Sequence, residues 1–413
     1  MPSLHACSRR ELLLGSGALF AWAYAPKLAR AEGRDPRVLV VVLRGALDGL
    51  AAVAPAGDPG WVGLRGDKAL LVGGKPPALP LDTFFALNPA MPNLHRLYKA
   101  RQATIVHAAA TPYRERSHFD GQDVLESGLA RPGAVDSGWL NRALVLLQPD
   151  GRVNPQGSKA FAVGPVTPLV VRGAAPVMSW APQQVLPASE DTQMRLLDLY
   201  RHTDPKLALA LEGRRQLIAL GGNGDAEAVA RAGQPPPGPA RVRAYFAEVA
   251  GAAARYLERP DGPRIGALGL VGWDTHINEG VASGQLASLL GALDDAIAAF
   301  EKGMGSAWRE TVVVIVTEFG RTARINGTEG TDHGTATVAL LVGGALKGGR
   351  VIADWPGLRQ TDLHEGRDLK PTIDLRAVLK GVLKDHLRLD ERLLATTVFP
   401  DSASVRPTAE LFA

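Results

Sequence analysis

Thiol chemistry is nearly absent from this sequence: one cysteine, Cys7, stands among 413 residues. It lies inside an N-terminal stretch that reads as an export signal. Ser8-Arg9-Arg10-Glu11-Leu12-Leu13-Leu14 opens a modest apolar run ending at Tyr24, and Ala29-Arg30-Ala31 closes it with small residues. This is the pattern of a twin-arginine signal, so the expectation is recognition by the twin-arginine translocase, removal of residues 1–31 near Ala31, and a periplasmic mature chain. The apolar run is shorter than the ~20 residues a bilayer span needs, so no stable membrane span is expected. Without Cys7 the mature chain has no disulfide, no thiolate ligand and no cysteine nucleophile, and a metal site must use His and carboxylates. An excess of one charge is also missing. Lys and Arg number 46 against 42 Asp and Glu, and the signal carries four of the basic residues and one of the acidic ones. Near-neutral balance gives no support for nucleic-acid or membrane-surface binding.

What is present is a set of continuous apolar strands that each end in polar residues. Residues 312–316 are all Val or Ile, as a strand covered on both faces requires. They run into Glu318 and Arg321, and a Gly-rich turn then leads to Asp332 and His333. Val38 to Leu43 runs into Asp48, Ala103 to His107 into Arg116 and Ser117, and Ile265 to Val271 into Asp274 and His276. Such strands belong to α/β folds, whose ligands bind beyond the carboxyl ends of the strands. A further strand is expected within 334–344, short ones at Ala160 to Val163 and Leu169 to Arg172, and helices at Thr192 to Leu220, Arg241 to Leu257 and Val281 to Lys302. Gly221 to Ala240 reads as a flexible connection. Residues 131–260 are read as an insertion or cap on a single domain spanning 32–413.

Asp274 and His276 are two apart in extended chain, which puts a carboxylate and an imidazole on one side and lets them share a metal. Ser117 stands at a helix N-cap, where free N–H groups favour an anion. It is either a nucleophile or a cap. Asp48 precedes a glycine and is either a ligand or a turn residue. Asp374 is a structural cap for a helix running through Leu383. His118 and Asp120 receive no role.

Taken together, the signal, LRGALDGL at 43–50, RSHFDGQD at 116–123, GWDTH at 272–276, TEFGR from 317 and GTDHGTA up to 336 resemble the domain-of-unknown-function 1501 family. That family is related to the alkaline phosphatase and sulfatase superfamily. The resemblance implies an α/β three-layer sandwich with a mostly parallel central sheet and an inserted cap. It implies one or two divalent ions, zinc or manganese by ligand type. It further implies Asp48, Asp274, His276, Glu318, Asp332 and His333 as metal-site residues, Ser117 as nucleophile, and Arg116 or Arg321 holding an oxygen of a small anionic ester. The implied activity is hydrolysis of phosphate or sulfate esters. The alternative is a secreted binding or assembly protein that keeps the fold without turnover.

Overall fold

The computed structural model describes residues 34–133, 135–148, 160–163, 167–180, 190–204, 208–209, 211–212 and 239–412. The expected signal, and nearly all of the expected connection at 221–240, lie outside the described residues. Strand β1, Arg37–Arg44, sits inside a nine-stranded sheet. The other strands are β2 (Ala103–Ala110), β3 (Ala160–Val163), β4 (Val177–Trp180), β5 (Ile265–Val271), β6 (Thr311–Thr317), β7 (Thr337–Val342), β8 (Arg350–Ile352) and β9 (Ile373–Asp374). Their order is β8-β2-β7-β6-β1-β5-β3-β4, with β9 also on β2. Only β7 runs antiparallel to its neighbours, β2 and β6; every other pairing in this sheet is parallel.

Alternation along the strands explains the layers. Leu39, Val41, Leu43, Val313 and Ile315 face one core, and Val38, Val40, Val42, Val312, Val314 and Val316 face another, because successive side chains of a strand point to opposite faces. Helices α1 (Pro92–Lys99), α4 (Pro239–Leu257) and α5 (Gln285–Met304) cover the first face. Helices α2 (His118–Ser127), α3 (Trp139–Leu147) and α6 (Leu375–Asp385) cover the second. The result is the three-layer α/β sandwich with a mostly parallel sheet. Among the described residues no helix is long and apolar enough to cross a membrane.

Three details differ from the sequence reading. Leu169–Val171 is a 3-10 turn, since Pro168 fixes its start and the Val170 N–H goes to Glu126 Oε2 (3.0 Å) instead of to a neighbouring strand. Helix α5 begins at Gln285 and not at Val281, because Gly280 and Gly284 take positive φ angles of 66° and 126°. Of the helix expected from Thr192 to Leu220, Glu190–Thr203 is one helix, and 208–209 and 211–212 are also helical.

The parallel strands β1, β5 and β6 all end toward one edge, and the loops leaving them interlock there. Gly45, at φ 121°, passes so close to β5's exit that a Cβ would lie 2.6 Å from the Asp274 nitrogen. A Cβ on Gly330 would lie 2.1 Å from the His276 carbonyl oxygen. Both positions need glycine for the loops to touch.

Candidate metal centre

After β5 the chain turns at Gly272, buries Trp273, and presents Asp274 and His276 with Thr275 pointed inward. The expected two-residue spacing is realised: His276 Nε2 lies 3.0 Å from Asp274 Oδ1. After β6, Glu318 is fully buried and the chain continues through Arg321 to a loop that returns antiparallel, bridging Arg321 to His333. The N-terminus of α2 then supplies His118, its first helical residue.

These pieces bring three imidazoles and one carboxylate together. His333 Nε2 is 2.9 Å from His118 Nε2, 3.0 Å from His276 Nε2 and 3.1 Å from Asp274 Oδ1. His118 Nε2 is also 3.4 Å from Asp274 Oδ2. The opposite nitrogen of every ring is taken by an oxygen acceptor: His118 Nδ1 by Glu318 Oε1 (2.8 Å), His276 Nδ1 by Asp332 Oδ1 (3.2 Å) and His333 Nδ1 by the Arg116 carbonyl (3.0 Å). An acceptor at Nδ1 draws the ring proton there and leaves Nε2 as a lone pair. Three lone pairs and a carboxylate pointing at each other repel unless a cation lies among them. The donor set of His118, His333 and Asp274, with His276 beside it, therefore fits a divalent metal of borderline softness. Among the described residues, the one group of three such side chains with all donor atoms within 4.8 Å is His118, Asp274 and His333.

The hydrogen bond to Glu318 raises the His118 pKa against burial, while burial and the His118 charge lower that of His333. Burial works to raise Glu318, but bonds from His118, the Gly45 N–H (2.9 Å) and Gln122 (3.1 Å) outweigh it and hold the carboxylate ionised. Burial likewise opposes ionisation of Asp274, and the bond from Arg321 Nη1 (2.5 Å) outweighs that burial. Phe319 stacks under the His118 ring at 5.1 Å and closes the apolar side of the site.

The residues singled out from sequence divide into three groups. Asp274, His276 and His333 gather as the centre of the cluster. Glu318 and Asp332 stand behind His118 and His276, each orienting a ring, and Arg321 holds Asp274. Asp48, Ser117 and the side chain of Arg116 are engaged elsewhere. Both oxygens of Asp48 are bonded by Arg65 (2.5 and 3.0 Å), and Oδ1 also accepts from the Leu50 and Ala51 N–H groups; the pair is fully buried. A guanidinium thus fills the place beside Asp48 where the sequence reading had a metal ion. Strand β2 does not adjoin β1, since β7 and β6 lie between them. Arg116 is bonded to Asp368 and Glu365. Ser117 Oγ accepts from Asp120 N at 3.5 Å, turned to its own helix. Sequence reasoning passed over His118, whose only signal was its place beside Ser117, and over Arg65, Asp368 and Glu279. Glu279 is fully buried and bonded to Thr275; burial and then the Asp48 charge push its pKa up to about 8.

The fold is similar to several solved structures. Ps i-CgsB in complex with k-i-k-neocarrahexaose aligns with a TM-score of 0.42 and 12% identity over 91% of this chain and 77% of that one. The phosphonate monoester hydrolase of Agrobacterium radiobacter gives 0.38 and 12% over 77% and 70%. PsFucS1 sulfatase from Pseudoalteromonas sp. gives 0.36 and 12% over 82% and 68%. Likenesses this distant decide nothing about substrate or metal. No curated protein matches the chain. Residues 101–398, which contain every member of the cluster, match the family described as "Protein of unknown function (DUF1501)", and the chain belongs to that family.

Proposed function

We propose that this protein is an exported, metal-dependent hydrolase of phosphate or sulfate esters. One observation carries the proposal: three imidazoles, each pinned by an oxygen at Nδ1, gather their Nε2 atoms beside Asp274, with His118, His333 and Asp274 the tightest group. His118, His333 and Asp274 would hold a divalent ion, zinc or manganese by donor type, with His276 beside them, and that ion would supply a Lewis acid for an ester oxygen. Glu318, Asp332 and the Arg116 carbonyl orient the rings. Arg321 holds Asp274 in place and adds positive charge near the ester, although Asp274 already takes its Nη1. The side chain of Asp274 is 42% exposed, so an ester can reach the cluster from solvent.

Ser117, one residue before His118, is the candidate nucleophile. Its weak bond to Asp120 N instead favours a cap and an attacking water. Ser117→Ala separates the two: with zinc or manganese loaded, loss of at least ~10³ in kcat is expected for a nucleophile, and a change within a few-fold for a cap. A metal-loaded wild type without turnover on a panel of phosphate and sulfate mono- and diesters would sink the hydrolase and leave a metal-holding binding protein. Export belongs to the same proposal. Lysine at positions 9 and 10 is expected to keep the precursor in the cytoplasm, as shown by fractionation.

A further inference from the structure

Asp368 lies outside the cluster and is fully buried, and one of its oxygens, Oδ1, has no hydrogen-bond partner, with Arg367 Nη1 3.4 Å away. A buried carboxylate in that condition needs an explanation. Its Oδ2 accepts from Arg116 Nε (3.0 Å) and Nη2 (2.8 Å). Arg116 has a left-handed backbone, φ 63°, which a residue other than glycine seldom adopts and keeps only when its surroundings hold it. That conformation aims the Arg116 carbonyl at His333 Nδ1, 3.0 Å away, and Ser117 and His118 follow directly in the chain.

We propose that Asp368 is a positioning residue: by gripping the Arg116 guanidinium it holds that backbone in the left-handed well, and the Arg116 carbonyl in turn fixes which nitrogen of His333 carries the proton. Arg116 is the hydrogen-bonded partner of the buried Asp368 charge, and its release to solvent would leave that anion only the part-exposed Arg367, 3.4 Å away and without a hydrogen bond. Glu365 also touches Arg116, but its side chain is 60% exposed and its attraction is screened. Loss of the Asp368 charge frees the guanidinium, the backbone relaxes toward negative φ, and the carbonyl swings off His333. The Nε2 lone pair that faces Asp274, His118 and His276 is then no longer enforced.

The consequence for metal rests on the metal-centre reading above, so the experiment has one arm that needs no metal. In protein carrying ¹⁵N-labelled histidine, long-range proton–nitrogen correlation spectra of the metal-free wild type should show His333 as the Nδ1–H tautomer. In Asp368→Asn they should show a mixture, with Asp368→Glu restoring most of the wild-type pattern. In the second arm, zinc affinity by chelator competition should fall about 10–100-fold in Asp368→Asn, the usual effect of losing an orienting partner. If Asp368→Asn melts at lower temperature while the His333 tautomer and zinc affinity stay at wild-type values, Asp368 is only structural and the proposal is overturned. If the tautomer shifts as described but wild type binds no zinc, the positioning role stands and the metal centre falls. Should Asp368→Asn not fold, Arg116→Lys, which keeps a cation and loses the two-pronged grip, is read by the same two arms and must shift the tautomer.

Discussion

Two Asp–Arg pairs lie beside the strand ends with the same 2.5 Å contact, and they are opposites in use. In Asp48–Arg65 both side chains are fully buried, and the carboxylate takes two guanidinium nitrogens and two backbone N–H groups. Arg65 spends its remaining donors on the Ala323 carbonyl (2.7 Å) and the Thr322 carbonyl (3.2 Å), tying the β6 exit loop to the β1 exit loop. In Asp274–Arg321 the arginine is as deeply buried, but the aspartate is 42% exposed and faces three imidazole nitrogens whose ring protons are drawn to the far side by oxygen acceptors. The first pair is electrostatically complete and the second is short of positive charge. Completeness makes a joint; a deficit suits a cation.

The largest effect expected from breaking this contrast comes from the complete pair. Asp48→Ala leaves a buried guanidinium unpaired and should cost about 3–5 kcal/mol in denaturant unfolding, whereas removing both charges with Asp48→Asn and Arg65→Met should cost less than either single change. Metal affinity of the folded fraction should not move.

Acid tests the same idea on histidines. His107 and His386 are sealed in the core, and burial lowers each pKa from 6.5 to about 4. The unfolded chain binds protons at these positions below pH 6.5 and the folded chain does not until about pH 4. Stability is therefore lost as pH falls across that window, by up to about 3 kcal/mol for each histidine, and the loss from these two levels off below it. Unfolding midpoints at pH 7, 5.5 and 4.5 measure it, and His107→Asn should flatten the profile.

For the incomplete pair the effects are on binding. His333→Ala should lower zinc affinity more than 100-fold, since it removes a ligand outright, while changing metal-free stability by less than ~1 kcal/mol because lone-pair repulsion is relieved. Glu318→Gln keeps a weak acceptor for His118 and should lower zinc affinity about 10–100-fold. If His333→Ala instead destabilised the metal-free protein as much as Asp48→Ala, the cluster would be a joint too, and the contrast would be lost.

Much of the fold was legible because burial on both faces leaves a local mark. Val312 to Val316 and Val38 to Leu43 read as strands from their own residues, and both are buried along their length. The Asp274–His276 pair was legible because it needs only the period of extended chain. His118 was not, because its partners Glu318 and His333 are 200 and 215 residues away, and a histidine beside an N-cap serine has no local mark of its own. Asp48 misled for the mirror-image reason: Arg65, 17 residues on, cancels its charge from a segment whose Pro and Gly content reads as plain loop.

The sequence by itself determined the alternation that builds two cores on one sheet, the residue types available for a metal, and the absence of thiols from the chain beyond residue 31. Those are properties of short windows and of composition. Tertiary structure decided which carboxylate meets a guanidinium and which meets imidazoles, which ring nitrogen keeps its lone pair, and that His118 joins Asp274, His276 and His333. Charge pairing at contact distance depends on where loops from different strands come to rest, and that is settled by the packing of the whole sheet.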